Sequence, residues 1–265
     1  MTRISKLVLA GIFFLTPIHF LFAESPAIAI IIDDIGNSLK AGERVVNSHW
    51  PLTCSILPAR PHSIELAKIA YQNGKEVIVH LPMQATKSQK LGEGALKIDM
   101  GKDEFEHTVN LSIDSIPYAS GVNNHMGSLL TRDKNQMDLL MKIIANRDDY
   151  LYFVDSKTTS NSVAGLVASE YHIPTLTRDI FLDSTGNSKE HVRKQIRQLL
   201  NIAKQKGYAL AIGHPYNETI TVLNQELTKL GGQGIQLVTV SKLIKIAKTN
   251  QWQKYSSLSH KVVKN

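Results

Sequence analysis

The chain has 265 residues, 43% hydrophobic and 20% charged, with 30 Lys+Arg against 23 Asp+Glu, a formal net charge of +7 and one cysteine. That composition supplies a packed core and excludes a disordered polymer, and lone Cys54 excludes both an internal disulfide and a cysteine-rich zinc module. The basic excess is mild and scattered rather than gathered into a Lys/Arg stripe, so no nucleic-acid partner is expected.

Arg3 and Lys6 precede an apolar run from Leu7 to Phe22 that closes on Ala23. A basic start, a short apolar stretch and a small terminal residue read as a secretory signal over 1–23. Thr16, Pro17 and His19 interrupt the run, which falls short of the roughly 20 apolar residues of a spanning helix. An exported, periplasmic location without a stable membrane span after processing is therefore expected. Cleavage removes two basic residues and no acid, leaving +5.

From there short apolar runs alternate with helix-like stretches. Ala27–Ile32 (AIAIII) is continuous and β-branched, as in a strand buried on both faces. Asp33-Asp34-Ile35-Gly36-Asn37 reads as a loop, with Ser38 capping a helix to Asn47. Thr53–Leu57 is a second strand, and a helix then runs to Asn73 and stops at Gly74. Glu76–Val79 opens a third strand that continues into His80-Leu81-Pro82-Met83. Residues 84–101 form a long Gly-, Lys- and Gln-rich loop, of a length that is often functional. Helices over 103–116, 134–147, 161–171 and 191–206 are interleaved with extended runs at 121–125, 150–154, 174–183 and 208–212. A helix to Leu230, a Gly-Gly turn and a strand over Ile235–Val240 complete the pattern.

About eight strands alternating with helices imply a parallel sheet covered by helices. With no composition break, residues 24–247 are expected to form one α/β domain, a single distorted (β/α) barrel, and 248–265 a polar, basic tail. No G-x-G-x-x-G follows the first strand, and no phosphate loop occurs.

The polar residues at the expected strand ends carry the chemistry. Asp33 and Asp34, His80, His125, Asp155 and His214 each fall there, and in a parallel barrel those ends open onto one face. Imidazole nitrogen and carboxylate oxygen suit Zn²⁺, with three protein ligands and one open position in a catalytic site. The set offers Asp34, His80 and His125 as ligands to a divalent metal, Asp33 as base and His214 as acid. Asp155-Ser156 also reads as a helix cap. Arg178, Asp179 and Asp183 read either as an ion pair in the pocket wall or as support for the base. The other histidines of the mature chain, at 49, 62, 107, 172, 191 and 260, fall in loops or on helix faces. No G-x-S-x-G elbow is present, and Cys54 lies inside a strand, so nucleophilic catalysis has no candidate. A carboxylate pair of Asp33 with Asp155 or Asp183 would suit a glycosidase but would leave three histidines unused.

Ala-Ile-Ile-Ile-Asp-Asp-Ile-Gly at 29–36, His-Leu-Pro-Met at 80–83, Gly-Val-Asn-Asn-His-Met-Gly-Ser at 121–128, Phe-Val-Asp-Ser at 153–156, Arg-Asp-Ile-Phe-Leu-Asp at 178–183 and Ile-Gly-His-Pro at 212–215 resemble the divergent polysaccharide deacetylase family. The resemblance covers residues 27–246 and implies a NodB-type carbohydrate esterase: a distorted (β/α) barrel that removes N- or O-acetyl groups from polysaccharide with a bound metal. It implies Asp33 as base, Asp34 as metal ligand, His214 as acid and Arg178 as the residue that positions the base, with Asp179 or Asp183 near it. The His-x-x-x-His metal motif of NodB-type enzymes is missing, and His80 and His125 take its place. The implied partner is a polysaccharide, for which peptidoglycan or a surface glycan are the candidates. A catalytically silent barrel that binds glycan or a protein, and a metallohydrolase for another bond, are the competing readings.

Overall fold

A computed structural model describes residues 25–87, 92–184 and 188–250. The signal segment, the tail beyond residue 250 and part of the 84–101 loop lie outside the described residues.

The chain forms β1 (Ala27–Ile35), α1 (Leu39–Val46), β2 (Thr53–Ile56), α2 (Ser63–Gln72), β3 (Glu76–Met83), α3 (Lys102–Asp114), β4 (Ala119–Met126) and α4 (Lys134–Ala145). It continues through β5 (Tyr152–Asp155), α5 (Ala164–Glu170), β6 (Thr175–Thr177), β7 (Ile180–Phe181), α6 (Lys189–Lys206), β8 (Tyr208–Gly213), α7 (Asn217–Glu226) and β9 (Gln236–Leu237). Residues 240–250 form a last helix, α8. The strands make one sheet in the order β6-β5-β4-β3-β2-β1-β8-β7, with β9 added to β1. Every pairing is parallel. This is the distorted (β/α) barrel expected from the alternation of strands and helices. Its ladder has a seam between β6 and β7, which follow one another in the chain without pairing.

Strand parity divides the core in two, because side chains alternate across a sheet. Ile28, Ile30 and Ile32 of β1 belong to the cluster that packs under the helices. Ala27, Ala29 and Ile31 belong to a second cluster with Ile78, Val154, Leu210 and Ile212, which fills the barrel. Each fully buried isoleucine stabilises the fold by roughly 1.5–3 kcal/mol. Caps set the helix ends. Ser38 accepts from Ala41 N at 3.3 Å and Asp133 from Gln136 N at 3.0 Å, and Gly207 ends α6 at φ 87°, a left-handed geometry that glycine adopts without Cβ strain.

Three expectations are corrected. Strand β1 does not end at Ile32 but continues through the Asp pair to Ile35. The 174–183 extended run is two strands, β6 and β7, separated by Arg178 and Asp179. The last strand is only Gln236–Leu237, because residue 240 already begins α8. There the Glu76 carboxylate accepts from Val240 N at 2.8 Å and Ser241 N at 3.1 Å, supplying the acceptor that a helix N-terminus lacks. Helix α8 extends to residue 250, so the segment expected to be a tail from 248 starts in helix. Among the described residues no helix is long and apolar enough to cross a membrane.

Candidate metal centre

The same parity builds the site. Continuing the inward series of β1 brings Asp33 into the barrel after Ala27, Ala29 and Ile31. His80 follows Ile78 on β3, Asn123 and His125 follow Gly121 on β4, and His214 follows Leu210 and Ile212 beyond β8. By the same rule Asp34 would face the helices, beside Ile32. A bulge redirects it: between Ile32↔Cys54 and Ile35↔Ile56 the β1 strand spends one more residue than β2. Asp34 sits there at φ 59°, a left-handed conformation that Asp tolerates better than most residues. Its carboxylate turns to the two histidines.

Asp34 Oδ1 lies 3.0 Å from His125 Nδ1 and 3.2 Å from His80 Nε2, and the two ring nitrogens are 3.1 Å apart. Ligand atoms 2.0–2.1 Å from a tetrahedral Zn²⁺ stand about 3.3 Å from each other, so this triangle has the size of one face of such a site. Asp34 Oδ1 is shielded from solvent, yet neither ring nitrogen is aligned to donate to it. Three donor atoms of the right chemistry therefore face one point, and Asp34, His80 and His125 can hold a divalent cation there.

His80 is prepared for that role by Asn123. Its Nδ1 meets Asn123 Oδ1 at 2.8 Å, while Asn123 Nδ2 donates to Asp33 Oδ1 at 2.9 Å. The amide orientation that satisfies Asp33 makes Oδ1 an acceptor, which assigns the His80 proton to Nδ1 and leaves the Nε2 lone pair for the cluster. Ser55 Oγ donates to the same Asn123 Oδ1 at 2.8 Å, and Ser156 Oγ lies 3.3 Å from Nδ2. Asn123 is fully buried, as His80 and Asp33 nearly are.

His214 stands across the cluster, its Nε2 3.8 Å from Asp34 Oδ2. Asp183 fixes it: Oδ1 is 2.8 Å from His214 Nδ1, and Oδ2 accepts from His214 N at 2.8 Å and from Thr219 Oγ1 at 2.7 Å. Burial works against charging His214, but the hydrogen bond and charge of Asp183, with Asp33 and Asp34 beyond, outweigh it and raise its pKa to about 9. The ring is thus an acid that keeps its proton at neutral pH. Burial likewise opposes ionisation of Asp34, but the approach of His125 and His80 outweighs it and holds the carboxyl well below the usual carboxylate range. Burial opposes charge on His80 as well, and Asp33 and then Asp34 more than compensate, so its pKa is raised. Metal binding there displaces protons.

The structure thus brings together Asp33, Asp34, His80, His125, His214 and Asp183. Asp155 and Asp179 make their hydrogen bonds away from this group, and Arg178 lies in its wall. Asp155 has the parity of Phe153, not of Val154, and faces α5. It accepts from Lys157 N and Ser162 Oγ, each at 2.8 Å. Asp179 pairs with Lys206 at 3.1 Å and accepts from Leu210 N at 2.9 Å, rather than pairing with Arg178. Arg178 donates to the carbonyls of Ser156 at 2.7 Å and Lys157 at 2.9 Å, and lies 4.3 Å over the Phe181 ring, which stacks on His214. It braces the wall behind His214 and makes no hydrogen bond to Asp33. Asn123, Ser55 and Thr219 carry contacts that strand-end reasoning missed. For Asn123 the signal was available, two residues before His125 and on the same face. A cavity of about 700 Å³ opens along the β6–β7 seam beside Lys206 and Tyr208, and none of the clustered residues lines it.

The sequence profile of the family described as divergent polysaccharide deacetylase matches residues 30–244. The chain belongs to that family. The uncharacterized Escherichia coli protein YibQ is 34% identical to it over 217 residues, covering 82% of this chain and 67% of that protein. Among solved structures, the uncharacterized protein ATU2773 of Agrobacterium tumefaciens superposes with a TM-score of 0.79 at 20% identity, covering 83% of this chain and 89% of that one. A mutant of the peptidoglycan deacetylase PdaC of Bacillus subtilis gives 0.51 at 15% identity over 89% and 98% of the two chains. These likenesses share the fold. The candidate metal donors Asp34, His80 and His125 come from three separate strands, β1, β3 and β4.

Proposed function

We propose that the chain is a zinc-dependent hydrolase that removes N- or O-linked acetyl groups from an exported polysaccharide, peptidoglycan or a surface glycan, in the periplasm. The observation that carries this is the triangle of Asp34, His80 and His125, with Asp33 on one side and His214 on the other. A divalent ion held by those three would supply Lewis acidity to the acyl carbonyl and to a water nucleophile. Asp33 takes the proton of the attacking water: Oδ1 is engaged by Asn123, and Oδ2 is turned toward the cluster, 3.6 Å from His80 Nε2. His214 gives its Nε2 proton to the departing amine or alcohol, and Asp183 holds the ring in the tautomer and orientation that this needs. The PdaC likeness supports peptidoglycan as the first substrate to try.

The test is acetate release from a panel of N- and O-acetylated glycans by protein loaded with Zn²⁺ and by protein stripped with chelator. Release that depends on metal and is lost in Asp33→Asn supports the proposal. Metal and glycan binding without release in any member of the panel assigns the silent binding barrel instead.

A further inference from the structure

The loops that leave β3, β4 and β5 meet beyond His125, on the flank opposite β8 in the strand order. They border an open cavity of about 350 Å³ lined by Thr86, Lys87, Ser128, Arg132, Thr158 and Thr159, large enough for a small ligand. Its walls are tied together. Thr86 N donates to Ser128 Oγ at 3.0 Å and Thr86 Oγ1 lies 3.2 Å from the same oxygen, joining the first loop to the second. Thr158 Oγ1 donates to Met126 O at 2.8 Å, joining the third loop to the end of β4. Such cross-links order the walls before a ligand arrives, which lowers the entropy cost of binding.

The charge is one-sided. Lys87 and Arg132 both line the cavity, and among the described residues no carboxylate does. Two other surface cations meet acids: Lys134 pairs with Asp138 and Glu170, and Arg147 with Asp114 and Asp149. An ammonium and a planar guanidinium beside four hydroxyl-bearing side chains match an oxyanion carried on a hydroxylated ligand. Ser128, in the cavity wall, is three residues from His125, which bounds the distance between their Cα atoms at about 10 Å.

We propose that this cavity is an anion subsite that takes a carboxylate or phosphate on the sugar neighbouring the reacting one, so that the preferred glycan is acidic. The inference rests on the deacetylase reading above and adds a substrate class to it.

The experiment uses the full chain loaded with Zn²⁺ and three matched probes: chitotetraose, its C6-carboxylated form and its C6-phosphorylated form. Calorimetry measures their binding, and acetate release is followed on each of them. At least one acidic probe is expected to bind roughly tenfold more tightly than the neutral one, and which of the two gains more names the anion. That preference is expected to fall below about twofold in Lys87→Gln/Arg132→Gln and to persist in Lys68→Gln/Lys245→Gln, which removes the same charge elsewhere. Equal affinity for all three probes, or a preference that survives Lys87→Gln/Arg132→Gln, overturns the subsite, while acetate release from the neutral probe leaves the deacetylase reading standing. Neither binding nor release with any probe overturns both.

Discussion

Asn123→Ala removes, in one step, the partner of His80 Nδ1, the donor to Asp33 Oδ1 and the acceptor of Ser55 Oγ. All three groups are buried. A buried polar group left without a partner costs about 1–3 kcal/mol. The three share one small cavity into which a single water can move, so the losses are not additive and a total of about 3–5 kcal/mol is expected. Urea unfolding of the chelator-treated protein, wild type against Asn123→Ala at one pH, measures this. The second consequence concerns the metal, because the hydrogen bond to a ligating imidazole fixes its tautomer and orientation. Zn²⁺ affinity is expected to fall by about 10–100-fold, read by competition with a chromophoric chelator. A stability loss under about 1 kcal/mol together with unchanged Zn²⁺ affinity would show that Asn123 merely fills space, and the tautomer assignment of His80 would fall with it.

Asp183→Asn removes the charge that raises His214, so the alkaline limb of the activity profile is expected to move to lower pH, away from about 9, and rate measurements from pH 6 to 10 give its position. In metal-free protein the raised His214 pKa contributes stability that is complete below the unfolded value of 6.5 and is lost as pH rises through about 9; unfolding curves of wild type should show that decline and those of Asp183→Asn should not. Cys54 is fully buried, and burial pushes its thiol pKa up to about 12, so a chromogenic disulfide reagent at pH 8 is expected to leave it unmodified until denaturant is added. Glu76→Ala is expected to cost about 1–2 kcal/mol by uncapping α8, with amide exchange at 240–250 accelerating before that of β1.

The architecture was legible because most strands are short apolar runs that alternate with helical stretches. Ser38 and Gly207 mark their helix ends in the sequence as plainly as in the structure. The convergence of Asp33, His80, His125 and His214 was legible too, since it needs only strand parity and a parallel sheet. Parity would also have set Asp155 apart from the inward-facing strand-end residues, since it shares the face of Phe153. What no local pattern announces is the bulge at Asp34. The Asp pair is flanked by isoleucines, Ile32 and Ile35, and the extra residue becomes visible only against the register of β2. The β6–β7 seam was hidden for a related reason, because ten extended residues read as one strand until pairing partners divide them. The strand expected over 235–240 failed at Val240, where a carboxylate 164 residues earlier in the chain captures the backbone N–H groups.

The three donors of the triangle sit at positions 34, 80 and 125, on strands that are not consecutive in the sheet, with β2 between the first two. A chain that has folded only as far as β3 holds two donors, and the third arrives with β4. The acid His214 is added only when β8 docks against the other side of β1. Loading with a metal would therefore have to wait until β4 has paired with β3. An ion held there would fasten β1, β3 and β4 to one another, so unloaded protein should be the form more readily cut by proteases.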